Sequence, residues 1–542
     1  MENKNISMDL TSLSRAELES QILHLSIKVE SLAAKLNWYE EQYKLSRVQR
    51  FGASSEQTPF DQLDFFNELE SEASVFIVSE PTLDEVKVPS KKKPKGRKQS
   101  ITENLPCTII EYRLSEENMA CPQCGERLHE MKTEIHRELT VIPAQVNVTE
   151  KVRSIYACRN CERNGTSTPI IAAPMPNPVI KNSLASPSII AHIMQRKYVD
   201  VVPLYRQESQ YKKFGLKLSR QTMANWMMIS SSDWLRHLYN RMHQELLKRQ
   251  VAHADETVLE VLNEPGREAT TNSYMWVYLT GTDDIPIVLY EYTQGRSGDY
   301  AKKFLKGFSG YLQTDGYAGY HKLEESNNES SIVLSGCWSH ARRKYDEALK
   351  GISNKETTTA LLTKQGLEYC NTLFRLERTI ADEPSEVRYI KRQEEALPVL
   401  DAYFTWCKKS AEIVLPKSLL GSAITYSLNQ ERYLRSYLLD GRLEMSNNRA
   451  ERAIKPFVIG RKNWLFSNTP RGAESSAIIY SLVETAKLND LNPVTYLQFI
   501  LEQLPNIDIC SIEELDKLLP WSQQLPELCR NISHQLASTG TS

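Results

Sequence analysis

The stretch that decides the fold is Val251-Ala-His-Ala-Asp255-Glu-Thr-Val-Leu-Glu-Val-Leu262, an apolar run of strand character with acidic residues inside it. Two further strand patterns follow, Tyr274-Met-Trp-Val-Tyr-Leu279 and Ile287-Val-Leu-Tyr-Glu-Tyr292. A turn-like Gly281-Thr-Asp-Asp284 separates the second strand from the third. These segments together predict a meander of three strands.

The segments after this meander extend it into a larger sheet. Ser297 to Phe308 has a helical pattern and leads to Gly310-Tyr-Leu-Gln-Thr-Asp315, a fourth strand that ends in Asp315. Ile332-Val-Leu-Ser-Gly-Cys-Trp338 forms a fifth strand, which runs into a helix from His340. The order β-β-β-α-β-α-β-α is that of an RNase H-like sheet. In such a sheet the first and fourth strands are neighbours, so Asp255 and Asp315 are expected to face each other.

Two carboxylates at that place are suited to Mg(II), which prefers oxygen ligands and usually keeps waters and substrate phosphates in its shell. A third acid comes from Ser446-Asn-Asn-Arg-Ala-Glu451-Arg-Ala-Ile-Lys-Pro456, in which Asn447, Glu451 and Lys455 fall on one helical stripe. Ser446 or Asn447 is available as the N-cap. Pro456 is expected to end or kink this helix. Residues 346–440 are helix-like and predict an all-helical insertion ahead of it.

Length and composition limit the class of protein. A chain of 542 residues implies three or four folding units, and 41% hydrophobic with 25% charged residues is close to the average of globular proteins. The start lacks an apolar signal-peptide core and no run of 18 apolar residues occurs, so we expect a cytoplasmic protein with no membrane span. A net charge of -2 gives no global attraction to nucleic acid, which leaves that task to local patches.

Four cysteines form two C-x-x-C pairs, Cys121 with Cys124 and Cys158 with Cys161. Each pair can aim two thiolates at one ion, and two pairs make a closed tetrahedral Zn(II) site. The alternation in Thr140-Val-Ile142 and Val146-Asn-Val-Thr149 predicts a small β-hairpin between them, as in zinc ribbons. A redox-active C-x-x-C is the alternative, which two pairs in tandem disfavour.

The N-terminal segment carries a heptad seam. Its apolar positions alternate spacings of four and three: Leu18, Ile22, Leu25, Val29, Leu32, Leu36, Tyr39 and Tyr43. β-branched residues at one core position and leucine at the other favour a parallel two-stranded coiled coil, and therefore a homodimer or higher oligomer. One amphipathic helix packed on its own chain is the alternative.

An acidic and then a basic segment follows, and we assign residues 58–100 as a linker. Residues 61–86 carry eight acidic and no basic side chains, whereas Lys87–Lys98 carries seven basic ones. Neither segment is expected to fold alone. The basic run is either an arm that lies along DNA phosphates or a solvated linker.

Helical periodicity dominates from Ser188 to Gln250. Within it, the pattern predicts a helix-turn-helix: a helix at Leu204–Lys213, a turn at Phe214-Gly-Leu216 and a second helix at Ser219–Trp226, with Ser219 as N-cap. Arg220, Gln221 and Asn225 would then lie near the front of a recognition helix that contacts DNA. A plain helical hairpin is the alternative.

Several of these stretches resemble the catalytic domain of insertion sequence 66 family transposases. They are HADET from 253, LQTDGYAGY from 312, GCWSHARRKYDEA from 336 and NNRAERAIKPFVIGRKNWLFSNTPRGAESSAIIYSLVETAK from 447. The flanking stretches RFGASSEQ from 50, the four-cysteine segment and SLASPSIIAHIMQRKYVDVVPLYRQE from 183 are also similar to that family. The resemblance covers the chain from about residue 14 to about residue 505.

The resemblance implies a DDE transposase of a bacterial insertion sequence, which binds the ends of its element and catalyses metal-dependent DNA cleavage and strand transfer. The family's acidic triad falls on Asp255, Asp315 and Glu451, with Mg(II) or Mn(II) as the expected cofactor beside structural Zn(II). Ser446 stands where the family often has Asp, which leaves the triad intact. The expected partners are transposon ends, target DNA and accessory proteins of the same element, and DNA binding would place the protein on the nucleoid.

The predicted fold class is a multidomain α+β protein. Its expected parts are a coiled-coil helix at 14–57, the linker at 58–100, a zinc-ribbon-like domain at 101–170, a helical DNA-binding region at 180–250, an RNase H-like catalytic domain at 251–490 with the helical insertion at about 346–440, and a helical tail at 491–542.

Other residues in the similar stretches have two interpretations each. Cys337 and His340 have the spacing C-x-x-H, and His340 either orients a carboxylate or phosphate or packs structurally. Seven basic residues would flank the acidic cluster and contact phosphates as a set, although any one of them is more often a solvated surface residue. They are Arg342, Arg343, Lys344, Arg452, Lys455, Arg461 and Lys462. Trp464 and Phe466 either stack on an unpaired base or, more commonly, belong to the core.

Three classes of function remain. The leading interpretation is the transposase. The second is a catalytically inactive DNA-binding regulator derived from one, which loss of a triad acid would favour, and none is lost. The third is another RNase H-like nuclease, which the N-terminal seam, basic arm and cysteine pairs disfavour. No Gly-x-x-x-x-Gly-Lys-Ser/Thr sequence occurs, which excludes a P-loop ATPase.

Overall fold

The structure is a computed structural model, and it describes Lys28 and residues 145–157, 170–324, 331–352 and 357–531. Apart from Lys28, which is helical, the predicted coiled coil lies outside the described residues. So do the predicted linker and the four cysteines of the predicted zinc site.

Seven strands make up the described β-structure. In chain order they are β1 (Ile155–Ala157), β2 (Ile170–Ala172), β3 (Val251–Glu260), β4 (Asn272–Thr280), β5 (Val288–Thr293), β6 (Gly310–Gln313) and β7 (Ile332–Ser335). β1 and β2 form an antiparallel pair, and the other five form one sheet in the order β5-β4-β3-β6-β7. The pairs within β3, β4 and β5 are antiparallel, whereas β3 with β6 and β6 with β7 are parallel. The predicted meander and the predicted contact between its first strand and the fourth strand are therefore confirmed.

Apart from the helical residue Lys28, the described residues contain fifteen α-helices. They are α1 (Pro187–Tyr198), α2 (Leu204–Lys213), α3 (Arg220–Ser230), α4 (Arg236–Leu247), α5 (Gly298–Phe304), α6 (Trp338–Gly351), α7 (Thr358–Thr379), α8 (Ser385–Lys391), α9 (Leu397–Ile413), α10 (Leu419–Asn429), α11 (Glu431–Arg435), α12 (Asn448–Trp464), α13 (Pro470–Leu488), α14 (Pro493–Gln503) and α15 (Ile512–Leu518). Short π-helical segments join α3 to α4 and α8 to α9.

The helices α1, α2 and α3 pack against one another ahead of the sheet. α2 ends at a turn in which Gly215 has φ of +83°, a conformation that glycine adopts without strain. The Ser219 hydroxyl then accepts a hydrogen bond from the Thr222 amide at 3.1 Å and begins α3. The predicted succession of helix, glycine turn and Ser219-capped helix is confirmed.

The helix α13 covers the edge strand β5 and is buried along most of its length. Its Thr485 hydroxyl accepts a hydrogen bond from the Val288 amide and donates one to the Val288 carbonyl, both at 3.0 Å. The Ser481 hydroxyl accepts from the Tyr290 amide at 2.8 Å. These contacts satisfy backbone groups that an edge strand otherwise leaves unpaired, and they close this edge to pairing with another chain.

The helices α7 to α11 form the predicted insertion and share a second core with α6, built around Trp338, Tyr345 and Tyr403. The Arg392 side chain is only 2% exposed and holds this insertion together. Its guanidinium forms two hydrogen bonds to the Glu377 carboxylate, at 2.9 and 2.7 Å. It also donates to the carbonyls of Tyr437, Asp440 and Leu443, so the insertion is tied to the segment that leads into α12.

The structure contradicts one sequence prediction and qualifies two others. Val146–Thr149 is not a strand, because its apolar side chains are exposed and the nearest strand is β1. α12 does not end at Pro456, which was one of the two predicted outcomes there, but continues to Trp464 with Ile454 and Phe457 buried on either side of the proline. Asn447 occupies the N-cap position of α12, but its side chain makes no capping hydrogen bond.

No helix in the described ranges is both long enough and apolar enough to cross a membrane. The last described elements, α14, α15 and two short 3-10 turns, pack beside α1, α4 and α13. Residues 532–542 of the predicted helical tail lie outside the described part.

Candidate active site

Asp255 lies in the middle of the central strand β3, opposite Val277 of β4. Its side chain is half-buried, and its Oδ1 accepts a hydrogen bond from the Glu256 amide at 2.8 Å. The parallel register pairs His253 with Gln313 of β6. Asp255 and Asp315 each follow that pair by two residues, and the charge of Asp315 contributes to the raised pKa of Asp255.

Asp315 begins the turn after β6. The next residue, Gly316, has φ of +91°, and a Cβ there would lie 3.1 Å from the Tyr426 hydroxyl, so this position favours glycine on two grounds. The turn lets the Tyr317 amide donate to Asp315 Oδ1 at 2.8 Å. Tyr426 of α10 donates to the Asp315 carbonyl at 3.2 Å, so the helical insertion also supports this loop.

Glu451 lies in the first turn of α12 and faces α6. Its Oε1 is 3.8 Å from His340 Nδ1, and its Oε2 is 3.8 Å from Arg343 Nη2. Within the described residues, neither Glu451 Oε1 nor His340 Nδ1 has a hydrogen-bond partner, although both atoms are buried. A sulfur of Cys337 completes a group of potential ligand atoms that all lie within 4.8 Å of one another.

The three acids share one electrostatic environment. The pKa of Asp255 is raised to about 8, first by burial and then by the neighbouring charges of Glu256, Asp315 and Glu451. Burial also lowers the pKa of His340, against the opposing charges of Glu451 and Asp315. The site therefore concentrates negative charge in a partly desolvated place, where a cation would relieve the repulsion.

Asn447 connects the three elements of the site. Its fully buried amide donates to the Ala254 carbonyl at 2.8 Å, and its Oδ1 lies 3.3 Å from Nδ1 of the buried His253. Its backbone amide contacts Cys337 Sγ at 3.2 Å. The start of α12, the strand β3 and the start of α6 are thereby fixed to one another, which sets the place of Glu451 relative to Asp255.

Two other acids near the site already have partners. Glu256 accepts hydrogen bonds from Arg296 at 2.8 Å and from Tyr320 at 2.6 Å, and Arg296 stacks on the Tyr317 ring at 3.9 Å. Glu444 accepts from the Thr282 hydroxyl at 2.5 Å. Arg296 and Tyr320 carry no sequence signal for the site, and Asn447 is predicted only as a cap and as a neighbour of Glu451 on one helical stripe, because these contacts join segments far apart in the chain.

The predicted DNA-contacting residues fall into separate groups. Arg220 and Gln221 are exposed at the start of α3. Arg343 is exposed beside Glu451, while Arg342 donates to Asn371 of α7 at 2.8 Å and is directed to the insertion.

The basic residues of α12 continue away from Glu451. Arg452, Lys455 and Lys462 are exposed along the helix, and Arg461 is half-buried with a pKa lowered by burial. Glu451, Lys455 and Lys462 are spaced i, i+4 and i+11, so the carboxylate and the cations lie on one face.

Among the described residues, the potential ligand atoms that all lie within 4.8 Å of one another belong to Cys337, His340 and Glu451. Asp255 and Asp315 are linked to Glu451 by charge, since both Asp315 and Glu451 raise the pKa of Asp255. A divalent cation held by Asp255, Asp315 and Glu451 stays a prediction, and the all-oxygen donor set of these three acids suits Mg(II) and Mn(II). The fourth and fifth nearby acids, Glu256 and Glu444, have other partners and are less available.

The chain matches four family descriptions in succession. Residues 38–110 match "Transposase C of IS166 homeodomain", residues 119–162 the "zinc-finger binding domain of transposase IS66", residues 182–475 the "Transposase IS66 family" and residues 481–521 the "IS66 C-terminal element". The zinc-finger match spans Cys121, Cys124, Cys158 and Cys161.

Similar curated proteins come from Sinorhizobium fredii (strain NBRC 101917 / NGR234). "Uncharacterized protein y4qI" is 33% identical over 394 residues, which are 71% of this chain and 70% of that protein. "Uncharacterized protein y4jD" is 31% identical over 451 residues, 80% of this chain and 84% of that protein. The family match covers more than half of the chain and includes all three candidate acids, and on these grounds the chain belongs to the IS66 transposase family.

Proposed function

We propose that this protein is a DDE transposase, which binds the ends of its insertion sequence and catalyses metal-dependent DNA cleavage and strand transfer. The proposal is supported most by the parallel pairing of β3, which carries Asp255, with β6, which leads to Asp315, and by the charges of Asp315 and of Glu451 on α12, which both raise the pKa of Asp255. The strand order β5-β4-β3-β6-β7 supports an RNase H-like catalytic domain around it.

The carboxylates of Asp255, Asp315 and Glu451 would hold the divalent cation. When bound, Mg(II) activates water or a DNA 3'-OH as the nucleophile and stabilises the leaving oxygen. Because its pKa is raised to about 8, Asp255 is protonated at neutral pH in the free protein, and it must lose this proton when the cation binds. Asn447 fixes the start of α12, which carries Glu451, and His340 lies beside the Glu451 carboxylate, while Arg343 sits where it can contact a phosphate oxygen of the DNA.

DNA would extend along the basic face of α12 from the acidic site. Arg452 and Lys455 form no ion pair with any residue that the structure describes, and their exposed charges are available to phosphates. The exposed Arg220 and Gln221 of α3 are proposed to read the element's ends as part of a helix-turn-helix. The basic arm Lys91–Lys98 would add contacts that do not depend on sequence.

The direct test is a cleavage assay with purified full-length protein, Mg(II) and a labelled duplex carrying the element's own end. We expect a nick that exposes a 3'-OH at the boundary of the element, and joining of that end to a second duplex. A scrambled duplex of the same length is the control. Binding of the end without any cleavage in Mg(II) or Mn(II) would instead favour the catalytically inactive DNA-binding regulator.

A further inference from the structure

The end of α12 contains a strained turn. Leu465 has φ of +65° and ψ of -52°, and the Phe466 amide donates to the Trp464 carbonyl at 2.8 Å. A hydrogen bond from residue i+2 to residue i around a central residue with positive φ defines the rarer, strained form of γ-turn. This conformation is sterically unfavourable for leucine, so the surrounding structure must hold Leu465 in it.

The residues on both sides of the turn are held in place. The Leu465 amide donates to the Arg461 carbonyl at 2.6 Å on the helix side. On the other side, Ser467 donates to the Glu260 carbonyl at 2.9 Å and accepts from the Leu262 amide at 3.0 Å, just beyond β3. The turn is therefore anchored to the helix that carries Glu451 and to the strand that carries Asp255.

The anchored turn presents two apolar side chains to solvent. Leu465 is 63% exposed and Phe466 is 41% exposed. Trp464 differs from them, because it packs edge-on against Tyr198 with ring centroids 6.4 Å apart and belongs to the periphery of the core. Apolar side chains exposed one at a time, such as Ile413, are common. Leu465 and Phe466 differ from them because they are neighbours on a strained turn that is anchored to both α12 and β3, and this combination points to a partner.

The charge around the turn is complementary to DNA. Residues 448–472, from the start of α12 to the first turn of α13, contain six Lys and Arg residues and one acid, Glu451. Beside the turn, the Lys197 ammonium lies 5.4 Å from the Trp464 ring centroid, and Arg471 is exposed. Proteins that deform DNA commonly insert Phe or Leu between base steps while basic residues hold the neighbouring phosphates.

We propose that Leu465 and Phe466 form an apolar wedge that inserts into the DNA bound at the active site and unstacks one base step. The inference rests on the proposed function, since the DNA must lie along α12. Fourteen to fifteen residues separate Glu451 from the wedge, which at 1.5 Å per helical residue is roughly 20 Å. At about 3.4 Å per base pair, the unstacked step lies within about six base pairs of the cleaved phosphate.

The test compares the full-length protein with its Phe466→Ala and Leu465→Ala variants on a duplex carrying the element's end. Permanganate reactivity of thymines, placed one at a time within ten base pairs of the cut, reports unstacking, and a gel shift reports binding. We expect one hyper-reactive step within about six base pairs of the cut. Each variant should reduce that reactivity at least about fivefold, while binding stays within about threefold.

Ile413→Ala is the matched control, because Ile413 is 71% exposed at the end of α9 in the insertion. It should leave the reactivity unchanged. Leu465→Gly is expected to raise the melting temperature, because glycine relieves the strain, and yet to lose the reactivity. That combination separates a wedge from a structural role.

The wedge is wrong if wild type and Phe466→Ala give the same permanganate pattern. It is also wrong if Phe466→Ala instead lowers the mass of DNA-free protein in light scattering, because the turn is then an interface between copies of the chain. Cleavage by the wild type without any hyper-reactive step overturns the wedge alone. Failure of the wild type to bind or cut the element's end would overturn the proposed transposase itself.

Discussion

At the residue scale, the most informative side chain is Asp255. Its carboxyl sits on the central strand among Glu256, Asp315 and Glu451, and burial with their charges raises its pKa to about 8. An arrangement of this kind opposes folding unless a cation is present, and such perturbed groups concentrate at functional sites. The repulsion between these carboxylates therefore lowers the stability of the metal-free protein and favours binding of a divalent ion.

The cost of burying the Asp255 charge predicts that Asp255→Asn stabilises the metal-free protein. The folded-state pKa lies above the unfolded value, so the folded state binds more protons and stability falls as pH rises from about 4 to about 8. We expect the free energy of unfolding of the variant at pH 7 in EDTA to exceed that of the wild type by about 2 kcal/mol. This is half of the value that the full pKa shift implies, because solvent exposure and relaxation weaken the effect. Melting temperatures across that pH range measure it.

The gain should shrink as the pH falls toward 5, because the wild-type carboxyl is then protonated. Asp401→Asn, at a carboxylate of α9 whose side chain is 60% exposed, is the matched control and should not change the pH profile. A pH-independent effect of Asp255→Asn would show that charge burial is not its cause.

At the element scale, the start of α12 is aligned with β3 by Asn447. Replacing it with alanine leaves the Ala254 carbonyl and the His253 ring without their partner in a fully buried place. We expect Asn447→Ala to lower the free energy of unfolding by about 1–3 kcal/mol. Because Glu451 lies one turn along the same helix, cleavage should fall far more than end binding.

Asn448→Ala is the control for that variant, since Asn448 is the next residue and is only half-buried. Denaturant unfolding and the cleavage assay measure the two effects separately. Equal stability and equal cleavage for Asn447→Ala and wild type would mean that α12 is positioned by packing alone.

Local patterns predicted the elements well, but they did not predict contacts between distant segments. Alternation and turn signals predict the strands around Asp255 and Asp315, and the succession β-β-β-α-β-α-β-α, which is that of an RNase H-like sheet, predicts that β3 pairs with β6. Pro456 was predicted to end or kink α12 from backbone chemistry alone, whereas burial of Ile454 and Phe457 holds the helix through it. Asn447 has a cap-like sequence position, and only the tertiary structure reveals that its amide bonds to β3.

At the scale of the whole molecule, the sheet and the insertion lie in the sequence after the predicted dimerising segment and before the match to the family's C-terminal element. The zinc-finger family match at 119–162 supports the prediction that Cys121, Cys124, Cys158 and Cys161 hold one Zn(II). Zinc binding by such a site is coupled to folding of its module.

Metal analysis of protein purified without chelator should return about one zinc per chain. Cys158→Ser should lose that zinc and expose the module to proteolysis, because three remaining ligands bind far more weakly. Cys510→Ser, at an exposed cysteine outside the quartet, should keep it. Zinc-free wild-type protein with intact protease resistance would contradict the assignment.

The most direct measurement of the central claim is cleavage of the element's end by Asp255→Asn, Asp315→Asn and Glu451→Gln beside wild type. Each change is nearly isosteric and removes one carboxylate charge, so each should reduce the cleavage rate at least about 1000-fold, while end binding survives. Glu474→Gln, at an exposed acid on α13 paired with Arg236, should cut like wild type. If all three variants cut at the wild-type rate, the assignment of the catalytic acids is wrong; if Glu451→Gln alone does so, the third acid is elsewhere, with Glu444 and Glu256 the next to test.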